Sequence, residues 1–362
     1  MHSEAVAALE AKVPSSKWYT FPAYETLSGI ATQVNSYALV GPSLCRNPAW
    51  ISLSLQCVMI VFGAAKSIRD NYNPRWRWLA RWQSDAPKQL KEMRAQAIEL
   101  LRPLYKERIG ASKEHDDGGS SGFLDCVNWL LQRKKYDSSL EKIADQELFL
   151  AIASTHTTSS TLASILFDLL ARPSDLEELS SEVGQVSKEC GGEWTLQHVA
   201  KMKKLDSFMK ESNRINPIGF IAGQRIAVKA HTFKDGLHLP AGTVFQFPAD
   251  AIHHDPSYYP DPYKFDSHRF LRLRESVDPN RFHFASVSDT SLIFGAGTHA
   301  CPGRFLAALT IKMILVVLLT NYEITLGDPD GGRPANLFHH FNLRPDPATE
   351  IRIRARNAPV PR

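Results

Sequence analysis

The sequence predicts a mainly α-helical protein with small β-sheets, organised as one domain over residues 1–362. Long apolar stretches with helical spacing occupy the first third of the chain and the region from Ser138 to about Met209. Short β-like segments alternate with turns between Gln224 and Asp255. The segment Glu350–Arg356, "EIRIRAR", alternates apolar and charged residues, as a half-buried strand does. Much helix with a little sheet favours one α-rich domain over two.

The composition is that of an ordinary globular protein, with 43% hydrophobic and 22% charged residues. The formal net charge of +4 is too small for a dedicated nucleic-acid-binding protein, so no nucleic-acid partner is predicted. The cysteines are odd in number and widely spaced, with neither a disulfide framework nor zinc-ligand spacing, which favours a reducing compartment. These cysteines are Cys45, Cys57, Cys126, Cys190 and Cys301.

The first 110 residues are predicted to be helices separated at prolines. The apolar run Ala49–Ala65 is interpreted as a buried helix rather than a membrane span, because it is short and contains two serines and a glutamine. A second apolar run, which begins at Met313, is shorter, so no transmembrane segment is predicted. The segment Lys113–Gly122, "KEHDDGGSSG", is predicted to be a flexible loop. The separating prolines are Pro14, Pro22, Pro42, Pro48 and Pro74.

The segment Asn73–Trp82, "NPRWRWLARW", interleaves three tryptophans with three arginines. One interpretation is an amphipathic surface helix whose arginines extend to water. Another is a patch that enters one leaflet of a membrane. Nucleic-acid binding is a third and weaker interpretation.

Prolines also delimit the later helices. Pro173 closes a long apolar helix, and Pro217 ends the helix that includes Asp206–Asn213. A proline-rich irregular stretch then runs to about Phe270. A last apolar helix is predicted after Pro302.

Cys301 lies in the segment Phe294–Gly303, "FGAGTHACPG", which contains three glycines and a proline. Pro302 suits the first turn of a helix. A thiol in front of a helix lies near exposed backbone N–H groups and the positive end of the helix dipole, which both favour the thiolate. Glycines let a large flat group approach the sulfur. These features suit an axial iron ligand, and the alternative is a structural cysteine in a glycine-rich turn.

The spacing F-x-x-G-x-H-x-C-x-G resembles the haem-binding signature of the cytochrome P-450 family, in a form common among fungal members. The resemblance implies that Cys301 is the proximal thiolate ligand of haem b. Family members more often carry arginine at the position of His299, where it contacts a haem propionate, and histidine lacks the arginine's bidentate fork. The resemblance implies that the rest of the signature also binds the cofactor: Phe294, Gly295, Gly297, His299 and Gly303.

A second motif, "KESNR", places Glu211 and Arg214 three residues apart on one helix face. Alone, this pair is a surface ion pair. Downstream, "FDSHRF" contains Arg269 between two phenylalanines. The P-450 resemblance implies that these three residues form a buried Glu–Arg–Arg network, which braces the loop behind the haem and supports haem incorporation without reacting.

The third motif is the polar run Ser154–Thr161, which lies in an otherwise apolar helix. Hydroxyls that bond to carbonyls of the preceding turn explain it without a function. By resemblance, Ala153–Thr158 aligns with the distal-helix motif of cytochromes P-450, and Thr157 matches the threonine that hydrogen-bonds the iron-bound oxygen. His156 replaces the usual acid and could relay protons, because its ordinary pKa is close to neutrality. Ser154 replaces the usual glycine.

The resemblance covers most of the chain, loosely at the front and tightly from Ala151 onward, and includes "HHDPSYYPDPYKFDSHRF", His253–Phe270. Family members of this type are usually longer and begin with a membrane anchor. We therefore expect a cytochrome P-450 fold that lacks its N-terminal anchor and early helices, with a haem-binding core at about residues 140–325. Family members sit on the endoplasmic reticulum membrane and face the cytoplasm, so we expect a cytoplasmic or peripheral membrane location.

The implied activity is that of a haem-thiolate monooxygenase, which inserts one oxygen atom of O2 into an apolar substrate, such as a terpenoid or another fungal secondary metabolite. An NADPH-dependent cytochrome reductase supplies the electrons, and Asn73–Trp82 is a candidate for peripheral membrane contact. The predicted pocket residues are Ile152, Ala153, Thr157, Ile218 and Phe220.

Two rival functions stay open at this stage. The first is a truncated, non-catalytic remnant with weak or no haem binding. The second is a haem-thiolate isomerase or dehydratase that needs no reductase, and the threonine at position 157 argues mildly against it.

Overall fold

Helices predominate and the sheets are small in the computed structural model, which confirms the predicted fold class. The structure describes residues 1–114, 124–133 and 137–356. The α-helices of these residues are α1 His2–Lys12, α2 Ala23–Val40, α3 Pro48–Asn71, α4 Ala80–Gln83, α5 Ala86–Glu114, α6 Cys126–Leu131, α7 Leu140–Leu170, α8 Pro173–Cys190, α9 Leu196–Lys201, α10 Lys203–Ile215, α11 Ala249–His253, α12 Arg269–Ser276 and α13 Arg304–Asn321.

The described strands form one three-stranded sheet and three two-stranded ribbons, all antiparallel. The strand order of the larger sheet is β1-β9-β6, and the ribbons are β2-β5, β3-β4 and β7-β8. The strands are β1 Tyr19–Pro22, β2 Ala222–Ile226, β3 His231–Thr232, β4 His238–Leu239, β5 Val244–Phe247, β6 Tyr322–Leu326, β7 Asn336–His339, β8 Asn342–Pro345 and β9 Glu350–Ala355. Two 3₁₀ segments, Pro74–Leu79 and Gly297–His299, complete the described secondary structure.

The chain divides into two compact units. Unit 1 comprises Met1–Pro14 and Glu25–Ser159, and unit 2 comprises Ser15–Tyr24 and Ser160–Arg362. The boundary falls within α7, so its polar run contributes residues to both units.

The core of unit 1 is built from α3, α5, α6 and the first half of α7. Trp50 is fully buried, and its indole N–H donates to Ser36 Oγ at 3.1 Å, which satisfies its polar atom. Ala97 and Ala144 are also fully buried within this apolar cluster.

The core of unit 2 surrounds α10 and α13. Helix α13 is buried on every side from Thr310 to Thr320, as expected for a helix that is apolar around its whole circumference. The strand β9 follows it and pairs with β6 on one edge and β1 on the other, with Ile353 opposite Ile324 and Tyr19.

The prolines of the sequence mark helix boundaries largely as predicted. Pro48 and Pro173 each begin a helix, at the position where the missing N–H leaves no hydrogen bond unmade. α10 ends at Ile215, two residues before Pro217. Of the predicted loop Lys113–Gly122, the first two residues end α5, and the rest lies outside the described residues.

Two predictions for the front of the chain are wrong. The first 110 residues are not all helical, because β1 pairs with β9, more than 300 residues away in sequence. The run Ala49–Ala65 does form a helix, but only one face is buried: Trp50 is fully buried, whereas Met59 is 73% exposed, since nothing in the described chain covers its face.

One segment differs from expectation. Asn73–Trp82 is not one amphipathic helix, because Pro74–Leu79 forms a 3₁₀ turn ahead of α4. The helix predicted after Pro302 is confirmed and begins at Arg304.

Two described helices are long and apolar enough to cross a membrane by length and composition, namely α3 and α13. In the most apolar 18-residue window of each, 22% of α3 and 61% of α13 is buried. Helix α13 therefore has the burial of a core helix, whereas α3 does not.

Candidate functional site

Cys301 ends the turn that precedes α13. Its backbone N–H donates to the Phe294 carbonyl at 2.7 Å, which closes the loop into a ring of eight residues, 294–301. The thiol belongs to no disulfide and is partly exposed. Arg304 donates to the Cys301 carbonyl at 2.8 Å and ties the loop to the first turn of α13.

Two of the three loop glycines adopt a backbone that other residues rarely reach. Gly295 has a φ of 74° and Gly297 a φ of 58°. A Cβ at Gly295 would also lie 3.1 Å from the His299 carbonyl oxygen, which is too close for an ordinary contact. Gly303 has an ordinary φ of −83°, and a Cβ there would lie 4.0 Å from the Cys301 sulfur. Gly295 and Gly297 therefore allow the tight turn, and Gly303 leaves space beside the sulfur.

The residues around the turn are open on one side. Gly297, His299 and Gly303 are exposed, and Phe305 of α13 is 64% exposed. Phe294 is half-buried, and its ring packs edge-on against Phe284 at 5.4 Å between centroids.

The segment leading into the loop is anchored to α10. The Asp206 carboxylate accepts the Phe284 N–H at 2.9 Å and pairs with Lys312 Nζ at 2.5 Å and with Arg274 Nη1 at 3.3 Å. Burial by itself would raise the pKa of Asp206, but Lys312 and these other donors hold it below its usual value. One helical turn later, Lys210 Nζ donates to the Ser286 carbonyl at 3.0 Å.

The structure brings Glu211, Arg214 and Arg269 together. Arg214 forms a bidentate pair with Glu211, with both N–O distances at 2.8 Å. Arg269 Nε contacts the two oxygens of the same carboxylate at 3.1 and 3.2 Å. All three side chains are buried, and the guanidinium groups also donate to backbone carbonyls, including those of His253 and Pro260. A buried carboxylate between two arginines is stable only with such full pairing.

In the middle of α7, Phe149, Ala153 and Thr157 form an exposed stripe at helical spacing, although the residues next to them are buried or half-buried. The Thr157 hydroxyl donates to the Ala153 carbonyl at 2.8 Å, and the Ser159 hydroxyl bonds back in the same way. The interpretation of the polar run as hydroxyls bonding to the preceding turn therefore describes these two residues. The oxygen of Thr157 can still accept a hydrogen bond from a ligand.

His156 lies beside this stripe, and its ring packs against Phe62 at 5.1 Å between centroids. Ser154 is half-buried, its Oγ is enclosed, and this oxygen has no hydrogen-bond partner among the described residues. The Ser154 carbonyl accepts a hydrogen bond from Asn35 at 3.3 Å. These residues belong to unit 1, whereas Cys301 and the Glu–Arg–Arg network belong to unit 2.

The predicted pocket residues of unit 2 lie beside the β7-β8 ribbon. The Ile218 carbonyl accepts the Leu343 N–H at 2.9 Å, and the Phe220 ring stacks on Phe338 at 5.7 Å. Ile152, in unit 1, is only partly buried and packs against the apolar cluster of that unit.

His253 is not predicted as a functional residue from the sequence, although it begins the segment His253–Phe270. His253 is fully buried, and its Nε2 accepts the N–H of Leu292 at 3.3 Å. The sequence signal was the first histidine of "HHDP", which by itself does not distinguish a buried from an exposed residue.

A haem suits the residues present. The loop of unit 2 offers a thiol outside any disulfide, in a tight turn whose glycines leave space beside the sulfur. A thiolate presented in this way can serve as an axial ligand of haem iron.

Comparison with known proteins identifies the family. The family model described as Cytochrome P450 matches residues 4–349. The chain is 59% identical over 358 residues to the cytochrome P450 monooxygenase ccsG of Aspergillus clavatus, covering 99% of this chain and 71% of that protein. It is 47% identical over 355 residues to the pyrichalasin C-7 hydroxylase of Pyricularia grisea, covering 97% and 69%. The chain belongs to the cytochrome P450 family, which confirms the resemblance.

A solved structure supports the fold. Retinoic acid-bound cyanobacterial CYP120A1 superposes with a TM-score of 0.69 at 21% identity, covering 98% of this chain and 73% of that one. At this identity the likeness concerns the fold alone.

Family membership and the fungal monooxygenase relatives make the chain a cytochrome P450 monooxygenase, an oxidoreductase of the kind found in fungal secondary metabolism. The family implies a haem-thiolate cofactor, a redox partner, a substrate and O2. Fungal cytochromes P450 are typically associated with the endoplasmic reticulum.

Proposed function

We propose that Cys301 is the proximal thiolate ligand of haem b in this monooxygenase. The observation that carries the proposal is the unpaired thiol at the end of a closed eight-residue turn, in the same unit as the buried Glu–Arg–Arg network. Phe294, Gly295, Gly297, His299 and Gly303 frame the cofactor, and Glu211, Arg214 and Arg269 support the fold behind it.

Haem held in this way supplies oxygen activation, and a thiolate ligand favours O–O bond cleavage. The overall reaction consumes O2, two electrons and two protons, and yields a hydroxylated product and water. The chain's own residues exclude water, orient the substrate and move protons. Among them, Thr157 would hold a proton donor at its Oγ1, and His156 would relay protons to Thr157.

We propose an apolar secondary metabolite, a terpenoid or a similar fungal product, as substrate. The exposed apolar stripe of α7 and the Phe220–Phe338 pair support this class. The relative from Pyricularia grisea, whose name specifies hydroxylation of pyrichalasin at C-7, suggests the C-7-deoxy form of that compound as the first substrate to test.

We propose an NADPH-dependent cytochrome reductase as the electron donor. Arg281 and Arg304 line a cavity of about 660 Å³ next to the cysteine loop, which has no carboxylate among its lining residues and therefore favours an acidic partner surface. Product formation should require both NADPH and the reductase, and turnover without them would contradict this donor.

We further propose that residues 1–362 form a single cytochrome P450 domain, with its haem-binding core at about residues 140–325. The family match, which spans both compact units, supports this organisation. We also propose a peripheral contact with the endoplasmic reticulum membrane through Asn73–Trp82, where Trp76, Trp78 and Trp82 are exposed.

The test of the haem ligand is the carbon monoxide difference spectrum of the reduced, haem-loaded chain. The wild type should give the strongly red-shifted Soret band of a thiolate ligand, and Cys301→Ser should abolish it. Cys190→Ser, a matched change in a buried cysteine of α8, should preserve the band. A wild type without the band, or a Cys301→Ser variant that keeps it, would contradict the proposal and favour the non-catalytic remnant.

A further inference from the structure

His253 connects two parts of unit 2 that the sequence separates. It is the last residue of the short helix α11 and is fully buried. Its carbonyl accepts a hydrogen bond from Arg214 Nη1 at 2.7 Å, so its backbone is attached to the Glu–Arg–Arg network. Its imidazole Nε2 accepts the N–H of Leu292 at 3.3 Å.

Leu292 stands where the cysteine loop begins. Its carbonyl accepts the Gly295 N–H at 2.9 Å, which starts the turn, and the Phe294 carbonyl accepts the Cys301 N–H, which closes it. Leu292 is therefore the residue at which this turn starts, and a side chain from another element holds its N–H.

The hydrogen bond from Leu292 requires one tautomer of the His253 imidazole. Because Nε2 accepts a hydrogen bond, the proton of the neutral ring lies on Nδ1. Nδ1 is buried and has no partner among the described residues, which is a costly arrangement. Burial, together with the charge of Arg214, lowers the pKa of His253 to about 4, so the ring stays neutral and able to accept.

Other anchors hold the residues upstream of this point. Lys210 Nζ bonds the Ser286 carbonyl and Ser291 Oγ, and the Tyr259 hydroxyl donates to the Thr290 carbonyl at 2.7 Å. Neither contacts the backbone at Leu292. His253 thus holds the loop at a point that these anchors do not reach.

We propose that His253 is a positioning residue that carries the fixed geometry of the Glu211–Arg214–Arg269 network to the first turn of the Cys301 loop. The effect on the cofactor rests on the proposed role of Cys301 as ligand. The Nδ1 donor makes no hydrogen bond within the described part of the chain. Its presence is explained if the fold requires the acceptor at Nε2.

The test compares four variants in the full chain. His253→Leu and His253→Asn remove an acceptor that reaches Leu292, whereas His253→Gln keeps an amide oxygen at about the reach of Nε2. Tyr259→Phe is the matched control, because it removes one hydrogen bond to the same segment two residues upstream.

The first readout is hydrogen–deuterium exchange of the peptide that covers residues 288–301, without haem. Exchange should accelerate about tenfold in His253→Leu and His253→Asn, and should stay within about twofold of wild type in His253→Gln and Tyr259→Phe. Equal exchange in the Leu, Asn and wild-type chains, or a Gln variant as fast as the Asn variant, would overturn the proposal. The Asn–Gln comparison decides the matter even if the Leu variant fails to fold.

The second readout is the ratio of the thiolate-type to the neutral-thiol-type Soret band in the reduced carbon monoxide complex, normalised to bound haem. The ratio should fall in the Leu and Asn variants and recover with Gln. If the wild type shows no thiolate band, the proposed haem ligand fails, while the exchange data still decide the positioning role. If the wild type shows the thiolate band and His253→Asn gives the same ratio, the positioning role of His253 is wrong. The proposed haem ligand then stands.

Discussion

At the scale of single residues, Glu147 of α7 is a fully buried carboxyl group. Burial raises its pKa to about 8; the nearby Cys126 thiol partly offsets the rise, and the nearby Asp125 adds to it. Folding near neutral pH therefore requires Glu147 to take up a proton that it lacks in the unfolded chain. This group lowers stability as the pH rises from its unfolded value, near 4.5, through about 8.

Glu147→Gln should remove that cost, because glutamine resembles the protonated acid. We expect the variant to be more stable than wild type by about 3 kcal/mol at pH 7, with the difference shrinking towards pH 5. Chemical denaturation at pH 5, 6, 7 and 8 measures it. The control is Glu141→Gln, an exposed residue of the same helix. A stability difference between Glu147→Gln and wild type that does not change with pH would contradict the raised pKa of Glu147.

Thr157 provides the second prediction at this scale. Thr157→Ala removes the only side-chain hydroxyl of the exposed stripe, so proton delivery should become less efficient while electron uptake continues. We expect product formed per NADPH to fall about tenfold and hydrogen peroxide release to rise. The buried neighbour Thr158, replaced by valine, should leave the ratio near wild type. Equal ratios in both variants would exclude the proposed role of Thr157.

At the scale of elements, β9 is the centre of the three-stranded sheet. Its residues alternate between buried and exposed, and Ile353 on the buried face is 2% exposed. Because this strand joins β1 and β6, its apolar face supports both pairings.

Ile353→Ala should therefore destabilise the protein by about 2–5 kcal/mol, through lost burial and the cavity that remains. Arg352→Ala, a change of the adjacent exposed residue on the same strand, should have a much smaller effect, since it loses a ring contact with Trp18. Thermal unfolding of both variants measures the difference. Similar losses of stability in the two variants would show that the buried face of β9 does not stabilise the sheet.

At the scale of the whole molecule, three exposed tryptophans lie together in one short stretch of unit 1. Trp76, Trp78 and Trp82 contact one another in sequence and are each more than half exposed. Met59 and Phe62 of α3 are also exposed. Tryptophans interleaved with arginines suit the interface of an anionic membrane.

Replacing Trp76, Trp78 and Trp82 together by serine should weaken binding to vesicles of phosphatidylcholine with phosphatidylserine by at least about tenfold. Co-sedimentation with such vesicles measures the binding. Trp129→Ser, a change of an exposed tryptophan outside the patch, is the control. Unchanged binding of the triple variant would exclude this contact.

The sequence by itself determined the fold class, most helix boundaries and the cysteine loop. Those features depend on neighbours in the chain: Pro48 and Pro173 begin helices because of their own geometry, and the loop glycines are needed for a turn that closes within eight residues. The family resemblance extended this local information from the Glu211–Arg214 pair to Arg269, whose pairing with Glu211 no local pattern reveals.

Only the tertiary structure decided the rest. β1 is a strand because β9 lies beside it, and Ala49–Ala65 keeps an exposed face because nothing described covers it. His253 acquired its role from Arg214 and Leu292, each 39 residues away in opposite directions along the chain. The physical reason is common to all three. Spacing along a sequence reports which residues share a face, whereas burial, pairing and protonation depend on which distant residues that face meets.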